Sequence, residues 1–214
     1  MDLLLMLLGG LGLFLFGMNF MSQGLQKAAG VKLRSFLEAM TKNKLIAVVF
    51  GALFTAVIQS SGATTVMVVS FVNAGLMSLS QAVGVIFGAN IGTTITAQLV
   101  SFKLTRIAPV ILFVGVFMML FLKKPILKKI GEVLLGFGAL FMGIVYMTEA
   151  MAELKNYPTV LHTLAGLSNP FVAILVGLII TVMVQSSSVT VSILHLMAGQ
   201  ELITLTVSFH FILG

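Results

Sequence analysis

The feature that most constrains this chain is an internal repeat that runs without a gap. At an offset of 126 residues, Gly10, Gly12 and Gly17 recur as Gly136, Gly138 and Gly143. Further along, Gly51, Thr55, Gln59, Ser60, Ser61, Thr64 and Gly88 recur as Gly177, Thr181, Gln185, Ser186, Ser187, Thr190 and Gly214. Register kept over that length means one supersecondary unit used twice, in residues 1–126 and again in 127–214. The fold has to be assembled from two copies of one piece, within a single domain.

The solvent for that piece is lipid. Apolar stretches recur along the whole length, 59% of the residues are hydrophobic and only 8% are charged, against about 25% charged in a soluble domain. A spanning helix needs about 20 such residues, so the expected fold class is an all-α polytopic membrane protein at the cell membrane, with no soluble domain. The net charge of +6 comes from twelve Lys and Arg clustered between the apolar runs, as in loops that face an anionic leaflet. That placement excludes nucleic acid as a partner. There is no cysteine, which rules out disulfides, thiol catalysis and cysteine metal sites. The start, Met1-Asp2-Leu3, lacks the basic region of a signal peptide, and its apolar run to about Leu25 is too long for one. It reads as a retained first helix.

Within each unit, an apolar helix comes first, at roughly 3–25 and 131–151, with glycines that let a neighbouring helix approach closely. Residues 45–77 follow as an apolar run interrupted by Gln59-Ser60-Ser61-Gly62. The arms on either side reach only about 21 Å of a roughly 30 Å hydrocarbon core. Two half-helices with a polar tip predict a re-entrant hairpin, a geometry tolerated only where protein or water surrounds the exposed backbone. Residues 80–102 are predicted as a discontinuous helix unwound at Gly88-Ala89-Asn90-Ile91-Gly92-Thr93-Thr94, and a plain helix at about 107–122 closes the first unit.

Charge placement favours the hairpin. If 45–77 returns to the side it came from, Lys27, Lys32, Arg34, Lys42, Lys44, Lys123, Lys124, Lys128 and Lys129 share one face, and only Lys103, Arg106 and Lys155 lie opposite. A full crossing would dilute that bias. The loops 26–44 and 123–130 are therefore expected to be cytoplasmic and the N-terminus outside. Three crossings per unit place the second copy upside down relative to the first, the inverted repeat of secondary transporters.

From Leu45 to Phe102 there is no charged side chain, yet Thr55, Gln59, Ser60, Ser61, Thr64, Thr65, Asn90, Thr93 and Thr94 lie within it. A single Ser, Thr or Gln between membrane helices is as readily interhelical glue as a ligand. Duplication moves the balance toward function. A helix that starts just after each triplet points free N–H groups and a positive dipole end at the site, which favours an oxyanion. Neutral hydroxyl, amide and carbonyl oxygens suit a hard cation such as sodium, whose charge offsets the anion's in a low dielectric.

At these residues the sequence resembles the sodium-phosphate cotransporter family, the type II cotransporters and their bacterial relatives. The resemblance is centred on Gln59-Ser60-Ser61-Gly62-Ala63-Thr64-Thr65, on Gly88-Ala89-Asn90-Ile91-Gly92-Thr93-Thr94 and on Gln185-Ser186-Ser187-Ser188-Val189-Thr190. It implies sodium-coupled transport of inorganic phosphate, a symport with no other cofactor. Gln59, Ser60, Ser61, Thr64, Gln185, Ser186, Ser187, Ser188 and Thr190 would surround phosphate and sodium where the hairpin tips meet. Asn90, Thr93 and Thr94 would contribute by the same analogy, with Thr55, Thr65 and Thr181 in support.

Two departures stand out. Gly62 occupies the place where the family has a third serine, which removes a hydroxyl but lets a ligand approach the backbone closely. Gly214 is the counterpart of Gly88, so the second copy of Ala89 to Thr94 is not in the sequence; the expectation is a truncated transporter, with weak or absent transport unless another chain completes it. The alternatives are another anion such as sulfate, or a non-transporting or regulatory membrane subunit. A homodimer through the glycine-lined first helices is a further expectation. His195 and His210 fall opposite Val69 and Gly84 in the repeat, which favours neutral, hydrogen-bonded packing over a proton relay. The fourteen Met are spread without paired spacing and read as adaptable filler, and Glu149 and Glu153 read as solvated surface beside Lys155. With no Cys, no His-x-x-x-His pair and no histidine near the motif serines, the chain is not expected to be an enzyme.

Overall fold

A computed structural model describes residues 2–29, 44–101, 104–160 and 169–214, and these are helical almost throughout. The order is α1 (Asp2–Ala29), α2 (Lys44–Ile58), α3 (Ser61–Asn73), α4 (Leu79–Ser101), a short 3-10 turn (Leu104–Arg106), α5 (Ala108–Phe121), α6 (Pro125–Leu154), α7 (Pro170–Val184), α8 (Ser187–Gly199) and α9 (Leu205–Leu213). Among the described residues, two helices are long and apolar enough to cross a membrane, over Leu3–Lys27 and Pro125–Leu154.

Those two, α1 and α6, form the centre. They pack antiparallel with glycine against backbone: Gly10 lies on Gly143 and Met147, Gly17 on Gly136 and Leu140, and Gly24 on Val133. No larger residue fits at Gly17 or Gly136, where an added Cβ would collide with the facing main chain. The contact is reciprocal, because Gly136 and Gly143 are the repeat counterparts of Gly10 and Gly17. The close approach expected of these glycines is thus made inside one chain, so it gives no support to a homodimer. Phe14, Leu140, Phe141 and Met147 fill the seam, and α5 lies antiparallel along α6 through Gly115 on Gly131 and Leu135.

Each hairpin has a core of its own. Phe50, Phe54, Val68, Phe71 and Val85 bind α2, α3 and α4, while Ala173, Leu194, Ile203, Val207 and Phe211 bind α7, α8 and α9. The packing recurs at the same offset as the sequence. Gly51 lies on the Val85 carbonyl and Gly177 on that of Phe211; Gly88 lies on Val48 and Ala52, and Gly214 on Ile174 and Leu178. The outer surface is apolar, with Phe16, Phe87, Phe113, Phe121, Phe171 and Met183 exposed, a surface that lipid accepts and water would not.

Three expectations need correction. Helix α4 is continuous from Leu79 to Ser101, so Gly88 to Thr94 is not an unwound centre. Gly84, Gly88 and Gly92 recur every four residues along one face, where each lies against the α2 main chain between Lys44 and Thr55. Their missing side chains permit close helix contact and are not needed for a break. Secondly, of 123–130 only Lys123 and Lys124 lie outside a helix, because Pro125 begins α6 at a position that needs no N–H donor and Lys128 and Lys129 are helical. Thirdly, α1 runs on to Ala29, into the predicted loop 26–44. Residues 30–43 of that loop, with Lys32, Arg34 and Lys42, lie outside the described residues, as does Lys103, and Lys44 opens α2.

At one end of the central pair, Lys27 meets Glu132 at 2.7 Å and the Lys129 ammonium donates to the Lys27 carbonyl at 2.7 Å. A cation there also complements the negative end of the α1 dipole. Lys155 pairs with Glu201 at 3.7 Å, and Glu149 and Glu153 are exposed, as expected.

Candidate functional site

The two hairpins turn in the same way. Gln59 and Gln185 adopt φ of 59° and 56°, left-handed values that a side chain normally avoids at a cost of order 1 kcal/mol or more. Glutamine rather than glycine stands there because its amide reaches back: Gln59 Nε2 donates to the Ala56 carbonyl and Gln185 Nε2 to that of Val182. Those carbonyls belong to the last turn of a helix and have no intrahelical donor. Ser60 and Ser186 follow in extended conformation (φ −145° and −149°) as N-caps of α3 and α8. The polar triplet is therefore local folding code: it ends one helix, reverses the chain and starts the next.

Threonines brace each turn from behind. Thr64 Oγ1 donates to the Ser60 carbonyl at 2.9 Å, so its contact with Thr55 Oγ1, also 2.9 Å, uses the Thr55 proton. The same relay recurs at Thr181, Thr190 and Ser186, at 3.1 and 3.4 Å. Thr55 and Thr64 are completely buried and Thr190 is 4% exposed. Thr65 donates to the Ser61 carbonyl. Thr55, Thr64, Thr65, Thr181 and Thr190 do not line the space between the tips; those in the relays tie the two arms of each hairpin together.

That space is a cavity of 380 Å³ lined by Gln59, Ser60, Ser61, Gly62, Thr93, Gln185, Ser186, Ser187 and Ser188. Both tips and one residue of α4 contribute, and no charged side chain does. A smaller hollow of 250 Å³ adjoins it between α4 and α8, sharing Ser61, Thr93, Ser187 and Ser188 and adding Asn90, Thr94, Ala97, Val191 and Ile212. The expected site residues thus divide three ways: the tips and Thr93 around the main cavity, Asn90 and Thr94 beside it, the bracing threonines behind. A larger groove between α2 and α4, 670 Å³, is apolar apart from Lys44 and Ser80 and offers little to orient a polar ligand.

Two residues that the sequence did not single out touch the first tip. Ser22 Oγ and Gln26 Nε2, both on α1, donate to the Ile58 carbonyl at 2.7 and 3.1 Å. With Asn19 and Gln23 they form one polar stripe at helical spacing, joined by Gln23 to Asn19 and Gln26 to Ser22 bonds of 3.0 Å each. That stripe on an otherwise apolar helix was the available signal. Of the histidines, His195 is exposed and meets Ser101 Oγ at 3.4 Å, and His210 keeps Nδ1 buried without a partner. Neither lines the cavity.

Hydroxyls, amides and helix-start N–H groups around an uncharged cavity can bind an oxyanion, and their oxygens can bind a hard monovalent cation beside it. In a low dielectric each ion costs less with the other present. The chain is similar in sequence to several known proteins. The chain is 33% identical over 204 residues to the uncharacterized protein YqeW of Bacillus subtilis, an alignment that covers 94% of this chain and 66% of that protein. It is 27% identical over 212 residues to the putative inorganic phosphate export protein YjbB of Escherichia coli, covering 99% of this chain and 39% of that one. Over 100 residues it is 36% identical to the human sodium-dependent phosphate transport protein 2B, 46% of this chain and 14% of that protein. The chain thus spans just under two thirds of the first of these relatives and well under half of the others. No solved structure matches it. The profile of the Na+/Pi-cotransporter family matches residues 13–149 and 152–214, nearly the whole length, and the chain belongs to that family of membrane transporters.

Proposed function

We propose that this chain carries the substrate site of a sodium-coupled transporter of inorganic phosphate, built as two inverted repeats, 1–126 and 127–214. The observation that carries the reading is the uncharged cavity of 380 Å³ closed by both Gln-Ser-Ser tips. Phosphate binds there through serine hydroxyls and first-turn N–H groups of α3 and α8, and sodium through neutral oxygens nearby. Both ions enter together, because the site has no charge of its own to balance either. The reciprocal antiparallel packing of α1 on α6 and the return of the first hairpin to its starting end support inversion, which lets access alternate between the two sides. The hairpins read as re-entrant, since α2 and α3 are joined only by Gln59 and Ser60 and fold back on each other through the Thr55 to Thr64 bond.

The test is phosphate flux in proteoliposomes holding the full-length protein, with and without a sodium gradient. Sodium-dependent flux that falls when Gln59→Ala or Gln185→Ala is introduced is the expected result. Flux indifferent to sodium, or to both substitutions, would sink the reading. Excess sulfate should compete poorly; equal competition would reassign the anion.

A further inference from the structure

The last carbonyl of α2, that of Ile58, belongs to the peptide that leads into the left-handed Gln59. Its orientation fixes where Gln59, Ser60 and Ser61 stand around the cavity. No helical N–H can reach it, and in apolar surroundings an unbonded carbonyl is costly. Helix α1 supplies the missing donors. Ser22 Oγ and Gln26 Nε2 approach it at 2.7 and 3.1 Å, enough to fill both lone pairs of one oxygen, and the 3.0 Å bond from Gln26 Nε2 to Ser22 Oγ braces the pair.

Among the described residues, the second tip shows no equal anchor. By the repeat offset, the counterparts of Ser22 and Gln26 are Thr148 and Ala152, and alanine has no donor. We propose that Ser22 and Gln26 are positioning residues: they hold the first tip in its ligand-ready geometry without touching the ligand. Neither lines the cavity, so their effect passes through the Ile58–Gln59 peptide. The consequence for affinity rests on the phosphate reading above; the consequence for the tip itself does not.

The test separates the two. The chain has no cysteine, so one reporter can be added at each tip: Gly62→Cys, where a new Cβ meets nothing within 4 Å, and Ser187→Cys, an exposed position. Labelling by a water-soluble thiol reagent is then compared with and without Ser22→Ala plus Gln26→Met. The proposal expects labelling at 62 to change about tenfold while labelling at 187 stays constant. Gln26→Leu, which also lacks a donor, should act like Gln26→Met, and Ser22→Thr, which keeps the hydroxyl, should label at the native rate. Equal change at both reporters, or none at 62, would overturn it. Equilibrium dialysis with radiolabelled inorganic phosphate on the cysteine-free variants adds the functional arm, with an expected loss of about tenfold in affinity. If the unaltered protein binds no phosphate, the phosphate reading fails while the labelling result still decides the positioning role.

Discussion

The first hairpin tip is held to α1 by hydrogen bonds, whereas the second rests on the central helices through apolar side chains. Ile58 accepts from Ser22 and Gln26, while beside the second tip Val189 and Leu196 of α8 sink into the cluster of Phe14, Leu140 and Phe141. The caps differ too. Ser60 Oγ accepts from the Ala63 N–H at 3.2 Å, using a donor that α3 could otherwise offer a ligand, whereas Ser186 makes no such bond to α8. Both Gly62 and its counterpart Ser188 line the cavity, but Gly62 is exposed whereas Ser188 is 9% exposed and brings a hydroxyl. The duplicated residues reproduce a backbone, and the unduplicated neighbours give each copy its own chemistry.

The shared part of that comparison should break hardest at the glycine seams. A side chain at Gly51 or Gly177 would collide with the Val85 or Phe211 carbonyl, so Gly51→Leu and Gly177→Leu should each cost more than about 3 kcal/mol. Thermal unfolding in detergent measures this, and tolerance at one site alone would show that the two units are packed differently. Next come the threonine relays. Thr55→Val and Thr181→Val keep volume but remove the proton that crosses each hairpin, and about tenfold weaker phosphate binding is expected for each. Thr55 should show the larger loss, being the more buried.

The second residues of α3 and α8 give a smaller and one-sided effect. Ser188→Ala should weaken phosphate binding about fivefold, the loss of one hydrogen bond, while Gly62→Ala, with open space around it, should change it less than about twofold. Equal losses would erase the proposed difference between the tips. Smallest of all is the ion pair of Lys27, whose side chain is 49% exposed. Glu132→Gln should cost about 0.5 kcal/mol in unfolding and leave labelling at either tip unchanged.

The turns were legible in the sequence because Gln59 and Gln185 are polar interruptions of apolar runs, and because the interruption occurs twice. The course of α4 was not. A run such as Gly88 to Thr94 can unwind a helix or admit a neighbour, and only the position of the α2 main chain decides between them. Sequence alone does not separate the bracing threonines from ligands, for a related reason. Thr64 and Thr190 stand one turn after a cap, and which way a helical side chain points depends on what packs behind it. Ser22 and Gln26 lie outside the charge-free stretch from Leu45; their polar stripe is visible in the sequence, but their target, a main-chain carbonyl, is not.

The central claim is that the two tips share one site. Counting bound phosphate per chain by equilibrium dialysis in sodium, for the unaltered protein and for Ser61→Leu and Ser187→Leu, addresses it most directly. One phosphate per chain, lost by more than about tenfold when either tip is filled, is the predicted result. Two phosphates per chain, or binding that survives the loss of one tip, would contradict it.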